Sequence, residues 1–296
     1  MTNKPFFSVI IPTFNRAKFI RQTIESVLVQ PFLDYEIIVV DDGSTDNTDE
    51  IVLAIQDNRI HYFKKENAER AAARNFGAIK ANGTYVNFLD SDDLIYTNHL
   101  PVARKFCNEN ENVEIFHLGF DIKNEQGVVL RSANSLHSIN SQILSGNILS
   151  CNGVFVRRDI MLMNPFNEDR ALSSLEDWEL WVRMSAQFNF LHNNTITSTV
   201  VQHDDRSVMN QDLSKIRLKV ERFIFHVQQN DQNVKRFGRG LKKVSASAYT
   251  YAALHLAIGG ASRKEILDYL LKGISDYPGE MLKKRFLVIA KKLLGY

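Results

Sequence analysis

Strand and helix patterns alternate through the first ninety residues, and this alternation does most to limit the folds open to the chain. Phe7–Ile11 is a short run of β-formers closed by Pro12-Thr13-Phe14-Asn15-Arg16. Ile20, Ile24, Val27 and Leu28 recur at helical spacing until Gln30-Pro31 stops them. Tyr35–Val40 has almost no polar alternation and reads as a strand buried on both faces. Asp41–Asp46 turns the chain, Ile51, Val52 and Ile55 mark a second helix, and Ile60–Phe63 is a third strand. An Ala-rich helix over 68–81 ends at Asn82-Gly83, and Tyr85–Leu89 is a fourth strand. Repeated βα units of this length predict an α/β fold, with a mostly parallel central sheet flanked by helices.

Ligands of such sheets sit beyond the C-terminal strand ends. Three of those loops carry Pro12–Arg16, Asp41–Asp46 and Asp90–Asp93. Asp90 and Asp92 stand two apart, so at an extended strand end both can face one way. Hard carboxylate oxygens in that arrangement suit Mg²⁺ or Mn²⁺. Asp also ends strands and caps helices, so the pair gains meaning only from its company. An EF-hand is excluded, because the sixth position from Asp90 is Ile95 rather than Gly. No Gly-x-Gly-x-x-Gly follows the first strand and no Gly-Lys-Ser/Thr loop occurs, so a nucleotide would be held by other means.

The middle of the chain is less regular. Val113–Ile122, Val128–Leu130 and Gly153–Val156 read as strands, and Ser173 and Ser174 open a helix through overlapping Ser-x-x-acid capping patterns. Beyond Ser214 the pattern is helical, which places a boundary between 1–212 and a C-terminal helical extension, 213–296. The net charge of +2 conceals a split: residues 1–214 hold 19 Lys and Arg against 28 Asp and Glu, whereas 215–296 hold 17 against 6. The extension is therefore a basic appendage fitted to an anionic surface. No apolar run approaches the roughly 20 residues of a bilayer span. Met1–Pro5 leads into a strand without an apolar leader, and Cys107 and Cys151 do not make a disulfide framework. The expected location is cytoplasmic, peripheral on the inner face of a membrane.

Four pieces, in order, resemble the family 2 inverting glycosyltransferases, which have a Rossmann-like nucleotide-diphospho-sugar transferase (GT-A type) fold. Phe7–Arg16 looks like the family's opening strand and Val40–Asp46 like its nucleoside-binding loop. Ala73–Gly77 through Leu89–Asp93 looks like its central helix and metal motif, and Glu176–Trp181 like its base-bearing segment. The resemblance implies that Pro12, Thr13 and Asp42 line the nucleobase pocket, with Asp42 accepting from a uracil-like N–H. It places Arg74 near the base or the diphosphate, and Asp90 at the ribose or a metal-bound water. Asp92 would be the metal ligand and Asp177 the general base, with Glu176 the alternative base. His203 falls about where the family has a mobile phosphate-contacting loop. Residues 1–212 would then be the nucleotide-sugar-binding and catalytic domain.

The implied activity is metal-dependent inverting transfer of one sugar from a nucleoside-diphosphate sugar, a UDP-sugar first among them. The implied acceptor is a glycan or a lipid-linked hydroxyl, in cell-surface polysaccharide or glycolipid synthesis. The Gln-x-x-Arg-Trp motif of the processive synthases is absent, which argues for single additions. The alternatives are a sugar-phosphate nucleotidyltransferase, for which the Gly-free Pro12–Arg16 loop is wrong, and a catalytically silent sugar-nucleotide binder. Asn75, Gly77 and Trp181 read as structural. In the tail, Leu282, Phe286, Ile289 and Leu293 share a helical face beside Lys284, Arg285, Lys291 and Lys292, the pattern of a helix lying on an anionic membrane. No aromatic interleaving or motif in the basic region suggests nucleic acid.

Overall fold

A computed structural model describes residues 4–133, 136–203 and 213–294. These fall into two compact units: one within Met1–Ile139, Leu149–Glu168 and Phe188–His203, the other within Asn140–Ile148, Asp169–Gln187 and Asp204–Tyr296. The expected boundary near 212 lies outside the described residues, and the packing does not follow a single cut. Residues 140–148 and 169–187 group with the C-terminal helices instead.

The first unit is built on β1 (Phe7–Thr13), α1 (Ile20–Leu28), β2 (Tyr35–Asp41), α2 (Thr48–Leu53), β3 (Ile60–Lys64), α3 (Glu69–Lys80) and β4 (Tyr85–Phe88). All residues of β1, β2 and β4 are buried, as unbroken apolar runs covered by helices should be. The four strands pair in parallel in the order β3-β2-β1-β4, with the less buried β3 at the edge. Helix α3 lies so close to β1 that a Cβ on Gly77 would come within 2.4 Å of Ile10 Cγ2. Asn75 is structural too: its amide donates to Phe166 O and Glu168 Oε1, and its Oδ1 accepts from Phe166 N.

The sheet continues with β5 (Leu94–Ile95), β6 (Ile115–Asn124), β7 (Val129–Ala133), β8 (Val154–Arg157) and β9 (Leu191–Gln202), with α4 (His99–Glu109) between β5 and β6. The full order is β3-β2-β1-β4-β8-β6-β9-β5, with β7 paired to β6. Here strand direction changes: β8 is antiparallel to β4 and β6, and β5 to β9, while β6 and β9 run parallel. The sheet is mixed, with its parallel part concentrated in the first ninety residues. Its register slips around Gly119, where a Cβ would meet the carbonyl oxygens of Asn194 and Thr195 at 2.9 Å.

Two buried histidines stand in this region. His99 Nδ1 meets Thr197 Oγ1 at 2.8 Å, and His117 faces His192 at 3.5 Å. Burial pushes both His99 and His117 down to about 3. Their folded values lie below the unfolded value, so the stability they contribute is fully present above about pH 6.5 and is lost as pH falls toward 3. Unfolding free energies from urea melts should therefore fall between pH 7 and pH 5, by about 2 kcal/mol in total for each histidine. His99→Gln should flatten the slope; equal midpoints at both pH values would refute the assignment.

Helix α5 (Ile139–Gln142) spans the division at residue 139, α6 (Arg158–Met163) follows β8, and α7 (Glu176–Ser185) precedes β9. The second unit is completed by α8 (Leu213–Gln229), α9 (Asp231–Phe237), α10 (Leu241–Ile258), α11 (Arg263–Asp276) and α12 (Lys284–Leu294). Its core includes both tryptophans of α7. Trp181 is fully buried; Trp178 stacks on Phe223 at 4.4 Å and donates Nε1–H to Ile143 O. Asp169 is raised by partial burial, but hydrogen bonds from His226, Arg222 and Ala171 N outweigh this and hold it at about 2.

Candidate active site

The ends of β1 and β2 are neighbours, with Thr13 opposite Asp41. Asp41 is fully buried and is used internally: it accepts from Ser44 N at 2.7 Å and from the Tyr62 hydroxyl at 2.6 Å. Burial and that carboxylate raise Tyr62 well above the ordinary phenol range, so it remains a donor. Asn15 takes a left-handed φ of 50°, which Asn tolerates better than most residues. Asn15 N donates to Ser44 Oγ, Asn15 Oδ1 accepts from Thr45 N, and Arg16 N donates to Thr48 Oγ1. Asp46 accepts from Ala17 N and from Thr48. The loop after β1 is thereby fastened along the loop after β2.

Asp42 is buried at this junction. Its Oδ1 receives Lys65 Nζ at 2.6 Å and Ala68 N at 3.0 Å, and its own N–H donates to Thr13 O. Pro12 and Thr13 are buried beside it, and Thr13 Oγ1 has no hydrogen-bond partner among the described residues. The structure thus brings Pro12, Thr13 and Asp42 together at the adjoining ends of β1 and β2.

The acidic motif after β4 is held by cations and by β9. Arg74, buried on α3, pairs with Asp90 Oδ1 at 2.6 Å and lies over the Phe166 ring. Asp92 Oδ2 faces Arg16 Nε at 3.4 Å and His203 Nε2 at 3.2 Å. The His203 ring stacks on Phe19 at 4.4 Å and is closed to solvent. Asp93 Oδ1 accepts from Val201 N at 3.0 Å, pinning the end of β9 to the motif two residues before His203. The segment that continues from His203, 204–212, lies outside the described residues.

Asp92 therefore meets His203, and also Arg16, to which the sequence assigns no role. Lys65 and Asp93 escape the sequence as well. The available signal is Arg16 itself, a cation in a loop facing an acid-rich motif. Lys65 and Asp93 depend on pairings 23 and 108 residues distant, which no local pattern reveals.

Glu176 and Asp177 belong to the second unit, where they open α7. The expected Ser residues do not stand at the helix N-cap. Leu175 occupies the N-cap position with no side-chain cap, while Ser174 sits at φ 74°. Glu176 is buried, and Asp177 is half-buried. Asp177 accepts from Trp178 N at 2.7 Å and from Asn147 Nδ2 at 2.8 Å.

Among the described residues no three His, Cys, Asp or Glu side chains gather as a metal cage. A hard divalent ion bound through substrate phosphates needs only one or two carboxylates, with water filling the rest of its shell. Asp92 offers such a donor: both of its partners face Oδ2, leaving Oδ1 without a partner among the described residues. The residues fit a substrate-bridged ion and not an all-protein site.

The glycosyl transferase family 2 profile matches residues 8–156. An uncharacterized glycosyltransferase of Rickettsia bellii is 33% identical over 257 residues, 83% of this chain but 33% of that protein. The chain thus aligns with about a third of that relative's length. A UDP-Glc:alpha-D-GlcNAc-diphosphoundecaprenol beta-1,3-glucosyltransferase of Escherichia coli, WfgD, is 32% identical over 176 residues, covering 59% of this chain and 68% of that one. The crystal structure of S. aureus TarS in complex with UDP-GlcNAc superposes with a TM-score of 0.70 at 19% identity, covering 98% of this chain and 89% of that one. This last likeness shows the fold.

Proposed function

Because this chain belongs to glycosyl transferase family 2, we propose that it moves one sugar from a nucleoside-diphosphate sugar to an acceptor hydroxyl, with inversion at the anomeric carbon. The observation that carries the proposal is the convergence of Arg16, Asp92 and His203 beside the Arg74–Asp90 pair, at the C-terminal ends of parallel strands. That is where an open α/β sheet holds its ligand, and the mixture of carboxylates and cations suits a diphosphate with a bound ion. UDP is the favoured nucleotide, supported by the UDP-sugars named for TarS and WfgD. The acceptor named for WfgD supports a diphospholipid-linked acceptor in glycolipid or polysaccharide synthesis.

In this reading the buried Thr13 Oγ1 and the Asp42 carboxylate hold the nucleobase, and Asp90 holds the ribose or a metal-bound water, kept in place by Arg74. Asp92 would hold Mn²⁺ or Mg²⁺, which when bound neutralises charge on the diphosphate. Arg16 and His203 lie on the same carboxylate, which supports a role for them at the phosphate oxygens. Transfer is one displacement. The acceptor oxygen bonds to the anomeric carbon, the bond from that carbon to the diphosphate oxygen breaks, and its electron pair leaves with the diphosphate. The acceptor proton goes to Asp177, or to Glu176 next to it. No enzyme carboxylate bonds to the sugar, unlike the retaining glycosidase scheme.

Calorimetry with UDP, GDP, CDP and dTDP, with and without Mn²⁺, tests this reading. One diphosphate, expected to be UDP, should bind in a metal-dependent way, and Asp92→Ala should abolish that dependence. Absence of metal-dependent binding for all four would end the proposal.

A further inference from the structure

The last helix presents a face different from the one its sequence suggests. Ile289 is fully buried, and Phe286 and Leu293 are partly buried. Arg285 also turns inward: its guanidinium donates to Ser247 O at 2.7 Å and to Thr250 Oγ1 at 3.2 Å, and burial lowers its pKa from the usual value. Three of the four residues whose pattern suggests a membrane face, Phe286, Ile289 and Leu293, therefore pack within the second unit while Leu282 stays exposed, and Arg285 does not belong to the exposed basic set.

The opposite side of α12 is apolar and basic at once. Leu287 is 61% exposed, Val288 44% and Leu294 72%, and Met281 and Leu282 just before the helix are 48% and 91% exposed. Lys284, Lys291 and Lys292 are exposed among them. Lys284 and Lys291, like Leu287 and Leu294, stand seven residues apart, so lysine and leucine share one face. No acidic residue occurs in 281–294. The nearest, Glu280, is 1% exposed and is neutralised by Lys283, with Thr250 donating to its other oxygen. Nothing negative on this segment competes for an anionic partner.

We infer that the outer face of α12 docks on an anionic lipid surface, its lysines at the headgroups and Leu287, Val288, Leu294 and Leu282 entering the acyl boundary. Exposed leucines interleaved with lysines are costly in water, yet both find partners at once in a charged bilayer interface. An acidic protein groove would satisfy the lysines, whereas a lipid plane satisfies lysines and leucines together along the whole stripe. The inference is independent of donor chemistry, because vesicle binding is read with no nucleotide present.

The test is co-sedimentation of the full chain with phosphatidylcholine vesicles, with and without phosphatidylglycerol. Binding should require phosphatidylglycerol and weaken in high salt. Lys284→Gln with Lys291→Gln should lower the partition coefficient about thirtyfold, the effect of two charges near an anionic surface. Leu287→Trp, at an exposed position that preserves the fold, should show a blue-shifted emission when anionic vesicles are added. Equal sedimentation of wild type and the double glutamine variant would overturn the inference, as would a Leu287→Trp spectrum indifferent to vesicles. Binding only to a protein fraction, with none to vesicles, would assign the face to a protein partner and refute it as well.

Discussion

Asp92→Asn is expected to lower kcat/KM by about 10³-fold, with donor binding no longer responsive to Mn²⁺. The amide keeps the shape and one acceptor oxygen but removes the charge that faces Arg16 and His203. A metal-held carboxylate at a departing diphosphate is worth several kcal/mol, and each 1.4 kcal/mol is a factor of ten. The effect should be confined to the chemistry. Asp92 sits at a loop and its partners lie on β1's loop and β9's end, so the thermal midpoint should move little. The assay is donor hydrolysis or transfer at saturating Mn²⁺, alongside a melting curve. Activity close to wild type, or a loss matched by unfolding, would mean that Asp92 does not hold the ion.

The second large effect falls on the proposed base. Asp177→Asn should lower kcat by about 10²–10⁴-fold, the usual contribution of a positioned general base, with the apparent affinity for donor nearly unchanged. Asp177 is the half-buried member of the pair and already accepts two hydrogen bonds, whereas Glu176 is closed off from solvent. Glu176→Gln should therefore cost less. A reversal, with Glu176→Gln the slower variant, would move the role by one residue. Two variants that both turn over like wild type would mean that no base acts from this segment.

The parallel part of the fold is legible in the sequence because its cause is local. Tyr35–Asp41 is buried on both faces, and only a strand covered on two sides uses such an apolar run. The mixed part is not, because β8 enters between β4 and β6 from 66 residues further along, and β9 pairs with β6 across 75. Pairing order at such distances leaves no mark on either segment. The start of α7 misleads for a different reason. Ser173 and Ser174 carry the capping pattern, yet a 3₁₀ turn at Arg170–Leu172, capped by Asp169, delivers Leu175 to the N-cap. In α12 two apolar stripes exist, and tertiary packing covers Phe286, Ile289 and Leu293 of the one that the spacing offers to a membrane. Asp42, Asp90 and Asp92 are legible, since carboxylates at strand ends in an α/β pattern are already placed by the fold. Their cationic partners are not, since a long side chain can reach several acids and sequence does not say which.

The contact between Gly77 and Ile10 bears on how this protein tolerates change. Ile10 stands in register with Ile38 on one side and Phe88 on the other. Three residues beyond Ile10 lies Thr13, and two beyond Phe88 lies Asp90. Any side chain at 77 must push Ile10 aside or lift α3, and α3 carries Arg74. One methyl group would therefore be felt at Thr13 and at the acidic motif together, without touching either. Diversity among descendants of this sequence should accumulate in the loops, where substitutions act one at a time, while position 77 stays closed to every larger residue.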